Sequence, residues 1–120
     1  MPIERFEQLE VWQRAHGFVL AVYKLTASLP NEEKYGLCSQ MRRAAVSVPA
    51  NIAEGFKRRG PKDKAHFYNI SQGSLEEVRY YLILVRDLNY AQPSDELHAM
   101  AETIGRLLNG LIRAVTDRPH

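Results

Sequence analysis

Apolar positions recur at three- and four-residue steps along almost the whole chain, with polar positions between them. In the first segment Leu9, Trp12, Ala15, Val19, Val22, Leu25 and Leu29 fall on one face of a helix. The pattern stops at Leu29-Pro30-Asn31, because the residue ahead of a proline avoids helical dihedrals. A second series runs Leu37, Met41, Ala45, Val48, Ile52 and Phe56. It crosses Pro49 without losing phase. A helix that ended there would leave no reason for Ile52 and Phe56 to stay in register with Met41. The spacing therefore predicts one helix through the proline, kinked near Pro49, rather than two short helices with a turn at Val48-Pro49. The missing backbone bond and the push on the Ala45 carbonyl cost ~3 kcal/mol in an unsupported helix, which packing must offset.

Gly60 and Pro61 punctuate the next connection, Gly60 suited to a helix C-terminus and Pro61 to the first turn of the helix that follows. The third series is Phe67, Ile70, Ser74, Val78, Tyr81, Val85 and Leu88, and it breaks at Asn89-Tyr90-Ala91-Gln92-Pro93. Ser94 reads as an N-cap with Asp95 and Glu96 just inside. The fourth series is Leu97, Met100, Ile104, Leu107, Leu111 and Val115, with fraying expected from Thr116 to His120. No segment alternates like a strand. The expectation is one all-α domain over residues 1–120, with helices at about 8–29, 32–56, 61–89 and 94–116. Short connections make it an antiparallel up-down-up-down four-helix bundle.

Composition narrows this little. Apolar residues make up 45% and charged residues 25% of 120, the balance of an ordinary globular domain. The formal net charge is only +2, so any electrostatic argument must be local. Cys38 is the only cysteine, which excludes an intramolecular disulfide and fits a reducing cytoplasm. The N-terminus carries Glu4, Glu7 and Glu10 and lacks the basic start of an export signal. No run approaches the roughly 18 apolar residues of a membrane helix, so no membrane partner is expected.

Chemistry is hard to find. A di-iron bundle needs Glu-x-x-His twice, and none occurs; Asp95 to His98 has the related spacing, with Asp in place of Glu. His16, His66, His98 and His120 lie apart, and Cys38 lacks a companion for zinc. Gly55 to Lys62 superficially resembles a phosphate loop, but Pro61 takes the lysine position and has no N–H to offer. Nothing local activates Cys38 as a nucleophile. The expectation is a protein that is not an enzyme and needs no cofactor or metal.

Two features remain. Gln40, Arg43, Ser47, Asn51, Glu54 and Arg58 form a polar stripe along the second helix. It reads either as a solvated face with a weak Glu54–Arg58 pair, or as a subunit interface built on Gln40, Ser47, Asn51 and Glu54. Lys57, Arg58, Arg59, Lys62 and Lys64 form a basic cluster opposed only by Asp63, with Arg42 and Arg43 further back along the same helix. This charge reads either as a soluble connection or as a contact for a phosphate backbone. Phe56, Phe67 and Tyr68 flank it and could stack on bases, though at helical spacing they also suit a core.

RRAAVSVPANIAEG (Arg42–Gly55), GSLEE (Gly73–Glu77), RDLNY (Arg86–Tyr90) and IGRLLNGLI (Ile104–Ile112) resemble the four-helix-bundle family of 23S rRNA intervening-sequence proteins. The resemblance runs from about Phe6 to Val115. Between Phe67 and Ser71 this chain carries Tyr68, Asn69 and Ser71, where the family pattern is more apolar. The resemblance implies a ring-shaped homopentamer without enzymatic activity. It also implies kinship with accessory proteins of diversity-generating retroelements, which bind nucleic acid and a reverse transcriptase. The expected partners are thus further copies of the chain, RNA or DNA, and a partner protein. The resemblance further implies that Ser47, Pro49, Asn51, Glu54 and Gly55 hold the second helix in shape. Gly73, Ser74, Asn109 and Gly110 would then permit close helix contact.

Overall fold

The computed structural model describes residues 2–117, so Met1 and the Arg118–His120 part of the expected fraying lie outside the described residues. Four α-helices carry the described chain: α1 (Glu10–Thr26), α2 (Leu37–Lys57), α3 (Pro61–Asp87) and α4 (Asp95–Thr116). No strand occurs among these residues. Sequential helices are neighbours, α4 closes back on α1, and the α2–α3 seam is the most extensive. The result is a four-helix bundle of 52 × 25 × 23 Å.

Several boundaries differ from the apolar pattern, each for a local reason. Residues Phe6–Gln8 form a separate 3-10 turn, held where Gln8 Oε1 accepts the backbone N–H groups of Glu4 and Arg5. Helix α1 stops at Thr26, three residues before the expected end. Its last turn is tied off by the Thr26 hydroxyl on the Val22 carbonyl and the Ser28 hydroxyl on the Leu25 carbonyl. Helix α2 starts at Leu37 rather than near 32, because Gly36 (φ −108°, ψ −103°) lies outside helical dihedrals. Asn31–Glu33 make a separate 3-10 turn. Gly60 is not the terminator of α2; it precedes α3, where Pro61 takes the first helical position.

Helix α2 passes through Pro49 without interruption, and Leu37, Met41, Ala45, Val48, Pro49 and Ile52 are all buried. Ser94 Oγ accepts the Leu97 N–H at 3.1 Å, so α4 begins where its cap predicts. Helix α3 ends in a Schellman arrangement: Asn89 adopts φ 60°, its N–H reaches the Arg86 carbonyl, and the Tyr90 N–H reaches the Val85 carbonyl.

The inward face of α3 departs from expectation in part: Val78 and Val85 are buried as expected, but the rest of the face is shifted. It is Tyr68, Ser71, Leu75, Val78, Leu82 and Val85. Ile70 and Leu88 are exposed by 38% and 45%. The expected series Phe67, Ser74, Tyr81 lies instead on the flank turned to α2. There Ser74 donates to Ser47 Oγ (2.8 Å), and Tyr81 Oη bonds Gln40 Oε1 (2.9 Å) and Glu77 Oε2 (2.8 Å). Tyr68 is drawn inward by the space above Gly55, and Ser71 by the Val48 carbonyl, to which its hydroxyl donates at 2.8 Å. Rising numbers on α3 (71, 74, 81) meet falling numbers on α2 (48, 47, 40), so these two helices run in opposite directions.

A candidate nucleic-acid interface

The basic run from Lys57 to Lys64 spans the end of α2 and the first turn of α3. Its members differ sharply in what they do. Helix α2 ends because Arg58 turns extended (φ −68°, ψ 152°), which leaves its last carbonyls needing donors. Lys64 supplies them from α3. Its Nζ donates to the Phe56 carbonyl at 2.7 Å and the Gly55 carbonyl at 3.3 Å, and lies 5.5 Å from the Phe56 ring centroid. A cation at a helix C-terminus also complements the macrodipole. Arg58 pairs with Glu54 at 3.0 Å, as the i,i+4 spacing suggested, and its guanidinium lies 4.5 Å from the Phe67 ring centroid. Lys57, Arg59 and Lys62 are exposed, and none forms an ion pair among the described residues.

Arg42 and Arg43 do not join this cluster. Fifteen positions separate Arg43 from Arg58, about 22 Å along a helix at ~1.5 Å per residue. They line a different feature, an open groove of about 870 Å³ beside α1, α2 and the connection between them. Arg42 Nε donates to Thr26 Oγ1 at 2.7 Å, its Nη2 reaches the Tyr23 carbonyl at 3.4 Å, and its guanidinium lies 4.5 Å from the Tyr23 ring centroid. Arg43 is exposed on the next step of the helix. Lys34 and Tyr35 complete the groove's rim, with Tyr35 exposed by 89% and Lys34 Nζ 5.5 Å from its ring centroid. Sequence reasoning missed Tyr23, Lys34 and Tyr35. The available signal was an aromatic residue set in the polar connection between Pro30 and Gly36.

The expected interface residues all have partners within the chain. Asn51 Nδ2 donates to the Ser47 carbonyl (2.8 Å) and Ser47 Oγ (2.9 Å), Gln40 accepts from Tyr81, and Glu54 holds Arg58. Gly73 and Gly110 do not serve contact within the bundle: a Cβ at either would meet nothing within 4 Å. Cys38 is buried, with Sγ 3.5 Å from the Thr26 carbonyl. Among the described residues no three His, Cys, Asp or Glu side chains gather to hold a metal, and no helix is long and apolar enough to cross a membrane.

Three tyrosines have raised pKa values. Burial raises Tyr68. Burial first, then the hydrogen bond to Glu77, raises Tyr81. For Tyr90 the bond to Glu33 Oε2 (3.0 Å) comes first and burial second. Through these bonds Tyr81 ties α3 to α2, and Tyr90 ties the α3–α4 connection to the Asn31–Glu33 turn.

The arrangement defines an all-helical bundle whose distinctive surface is cationic and partly aromatic. The profile of the 23S rRNA-intervening sequence protein family matches residues 7–110, and the chain belongs to that family. A solved structure from Bacteroides thetaiotaomicron, described as a protein of unknown function from the S23 ribosomal protein family, is similar in fold. It shares 24% identity with a TM-score of 0.75, over 86% of this chain and 95% of that one. No curated protein matches the chain.

Proposed function

We propose that the protein is a non-catalytic, self-associating helical bundle that binds nucleic acid through its cationic surface. The observation that carries this reading is the set Lys57, Arg59, Lys62 and Arg43: exposed and without an ion pair among the described residues. Each such cation that meets a phosphate releases a counterion, so binding weakens steeply with salt. Self-association would multiply a patch that is modest in one chain. It is favoured by Gly73 and Gly110, mid-helix glycines that give up about 1 kcal/mol of helix propensity each with nothing of their own chain above them.

The test is binding to a structured RNA across a salt series, with Lys57, Arg59 and Lys62 all changed to alanine as the comparison. The variant should bind more weakly, with its log–log salt slope reduced by about 2–3. A flat salt response of the wild type, or equal affinity of the two proteins, would remove the reading. A second reading, a scaffold for a partner protein, is favoured by the exposed Tyr80 and Ile70 near Gly73 on α3. A co-purified protein that stays bound after nuclease treatment and loses its hold on Tyr80→Ala would select it.

A further inference from the structure

We infer that the groove beside α1 and α2 seats an unpaired nucleotide, so that the protein prefers single-stranded nucleic acid to duplex. This rests on the nucleic-acid reading above and assigns it a place. Three cations, Lys34, Arg42 and Arg43, line the groove, and no Asp or Glu does so among the described residues. Arg42 is the informative one. A hydroxyl, a carbonyl and an aromatic ring hold its guanidinium, and none of them carries a negative charge. The side chain is therefore oriented while its charge stays uncompensated, the state that favours a phosphate ligand.

The rim supplies the second requirement. Tyr35 is exposed by 89% and Tyr23 by 41%, and both line this one groove. A single exposed aromatic needs no explanation, but two beside uncompensated cations form the combination that binds single strands: rings for bases and charges for the backbone. Duplexes keep their base faces stacked and cannot use the rings. The volume of about 870 Å³ lies within the ~300–1,000 Å³ of pre-formed ligand sites.

The experiment uses fluorescence anisotropy with the full chain, a labelled uridylate dodecamer, and a blunt-ended RNA duplex of equal phosphate count. Tyr35→Ala should weaken dodecamer binding about 5- to 150-fold and leave duplex binding within about twofold. Tyr35→Trp should restore dodecamer binding, and its indole fluorescence should be quenched as the strand binds. Arg43→Ala should lower the salt slope on the dodecamer by about 0.7. Because Tyr35 is so exposed, its replacement leaves the core untouched. Dodecamer binding that Tyr35→Ala does not change, while the triple Lys57, Arg59, Lys62 variant abolishes it, overturns the groove but keeps the broader reading. Salt-insensitive binding, or no binding, of both RNAs by the wild type overturns both.

Discussion

Replacing Gly55 with alanine should destabilise the protein, although alanine is the better helix former. Gly55 is buried inside α2. An added Cβ would lie 2.5 Å from Tyr68 Cε1, 2.8 Å from Tyr68 Cδ1 and 3.2 Å from the Lys64 carbonyl oxygen. The first two distances are well inside carbon–carbon contact, near 3.5–4.0 Å. Tyr68 cannot swing away, because its ring is enclosed by the bundle and only 2% exposed. Overpacking of this kind costs about 1–3 kcal/mol, and sometimes more. Helix propensity returns about 1 kcal/mol. With contacts as close as 2.5 Å to an enclosed ring, the upper part of the overpacking range applies, about 2–3 kcal/mol. The net loss should therefore be about 1–2 kcal/mol, or a fall in Tm of several degrees for a domain of this size.

Urea denaturation followed by circular dichroism at 222 nm measures this loss, and a double-mutant cycle assigns its cause. In a Tyr68→Ala background the obstacle is gone, so Gly55→Ala should become stabilising by up to about 1 kcal/mol. The coupling energy between the two sites should then be about 2–3 kcal/mol, at the upper end for residues in contact. Gly17→Ala in α1 is the control: its added Cβ would meet only Met100 Cε at 3.9 Å, an ordinary contact, so stability should rise by about 0.5–1 kcal/mol. Two results would refute the reasoning: Gly55→Ala as stable as the wild type, or a loss that persists unchanged without the Tyr68 ring.

Lys64→Ala should cost about 1–2 kcal/mol in urea denaturation, by removing charge-assisted bonds to the Phe56 and Gly55 carbonyls. Its salt slope on RNA should stay closer to wild type than that of Arg59→Ala. Asn89→Gly should raise stability by about 0.5–1 kcal/mol, because φ 60° is open to glycine without strain, and thermal melting checks this. Raising the pH should destabilise the protein in step with the ionisation of three tyrosines. The fold favours the neutral phenols of Tyr68, Tyr81 and Tyr90, while the unfolded chain releases those protons near pH 10. Stability is therefore intact below about pH 10 and is lost as pH climbs through the raised folded values. Urea denaturation at rising pH should show stability falling only once the absorbance at 295 nm reports phenol ionisation; ionisation of Tyr68, Tyr81 and Tyr90 with stability unchanged would contradict this.

The four helices were legible because their apolar steps are long and regular, and the continuity of α2 through Pro49 was legible because phase is conserved across it. The face of α3 was legible only at Val78 and Val85, and the reason is specific. Residues 67, 74, 81 and residues 68, 75, 82 are both spaced by seven, one position apart. Periodicity alone cannot choose between such neighbours. Packing chooses: Gly55 leaves a hollow that Tyr68 fills, and Leu75 and Leu82 follow it inward. The second series was also the more apolar, a signal that the spacing argument passed over. In the candidate site the charges could be read directly, but their fates could not. The Glu54–Arg58 pair is local and visible at i,i+4. The reach of Lys64 back to the end of α2, and the setting of Arg42 against Tyr23 and Thr26, depend on which helices meet.

The same distinction sorts the polar stripe of α2. Pro49 deprives the Ala45 carbonyl of its usual N–H partner, yet α2 continues. Within one turn of Pro49, Ser71 donates to the Val48 carbonyl, Asn51 to Ser47, and Ser74 to Ser47 Oγ. These bonds tie α2 to itself and to α3 where its own ladder is weakest. Ser47 and Asn51 thus have a role inside the chain that accounts for two poor helix formers one turn apart. Lys57, Arg59 and Lys62 where α2 passes into α3, Arg43 and Tyr35 at the groove, and Gly73 on the outer face of α3 have no comparable role within the bundle. Each is charged, aromatic or helix-weakening, and each sits where the bundle itself asks for nothing of the kind. A search for partners should begin with those positions, since a side chain already bonded within the fold must break a contact before it can make another.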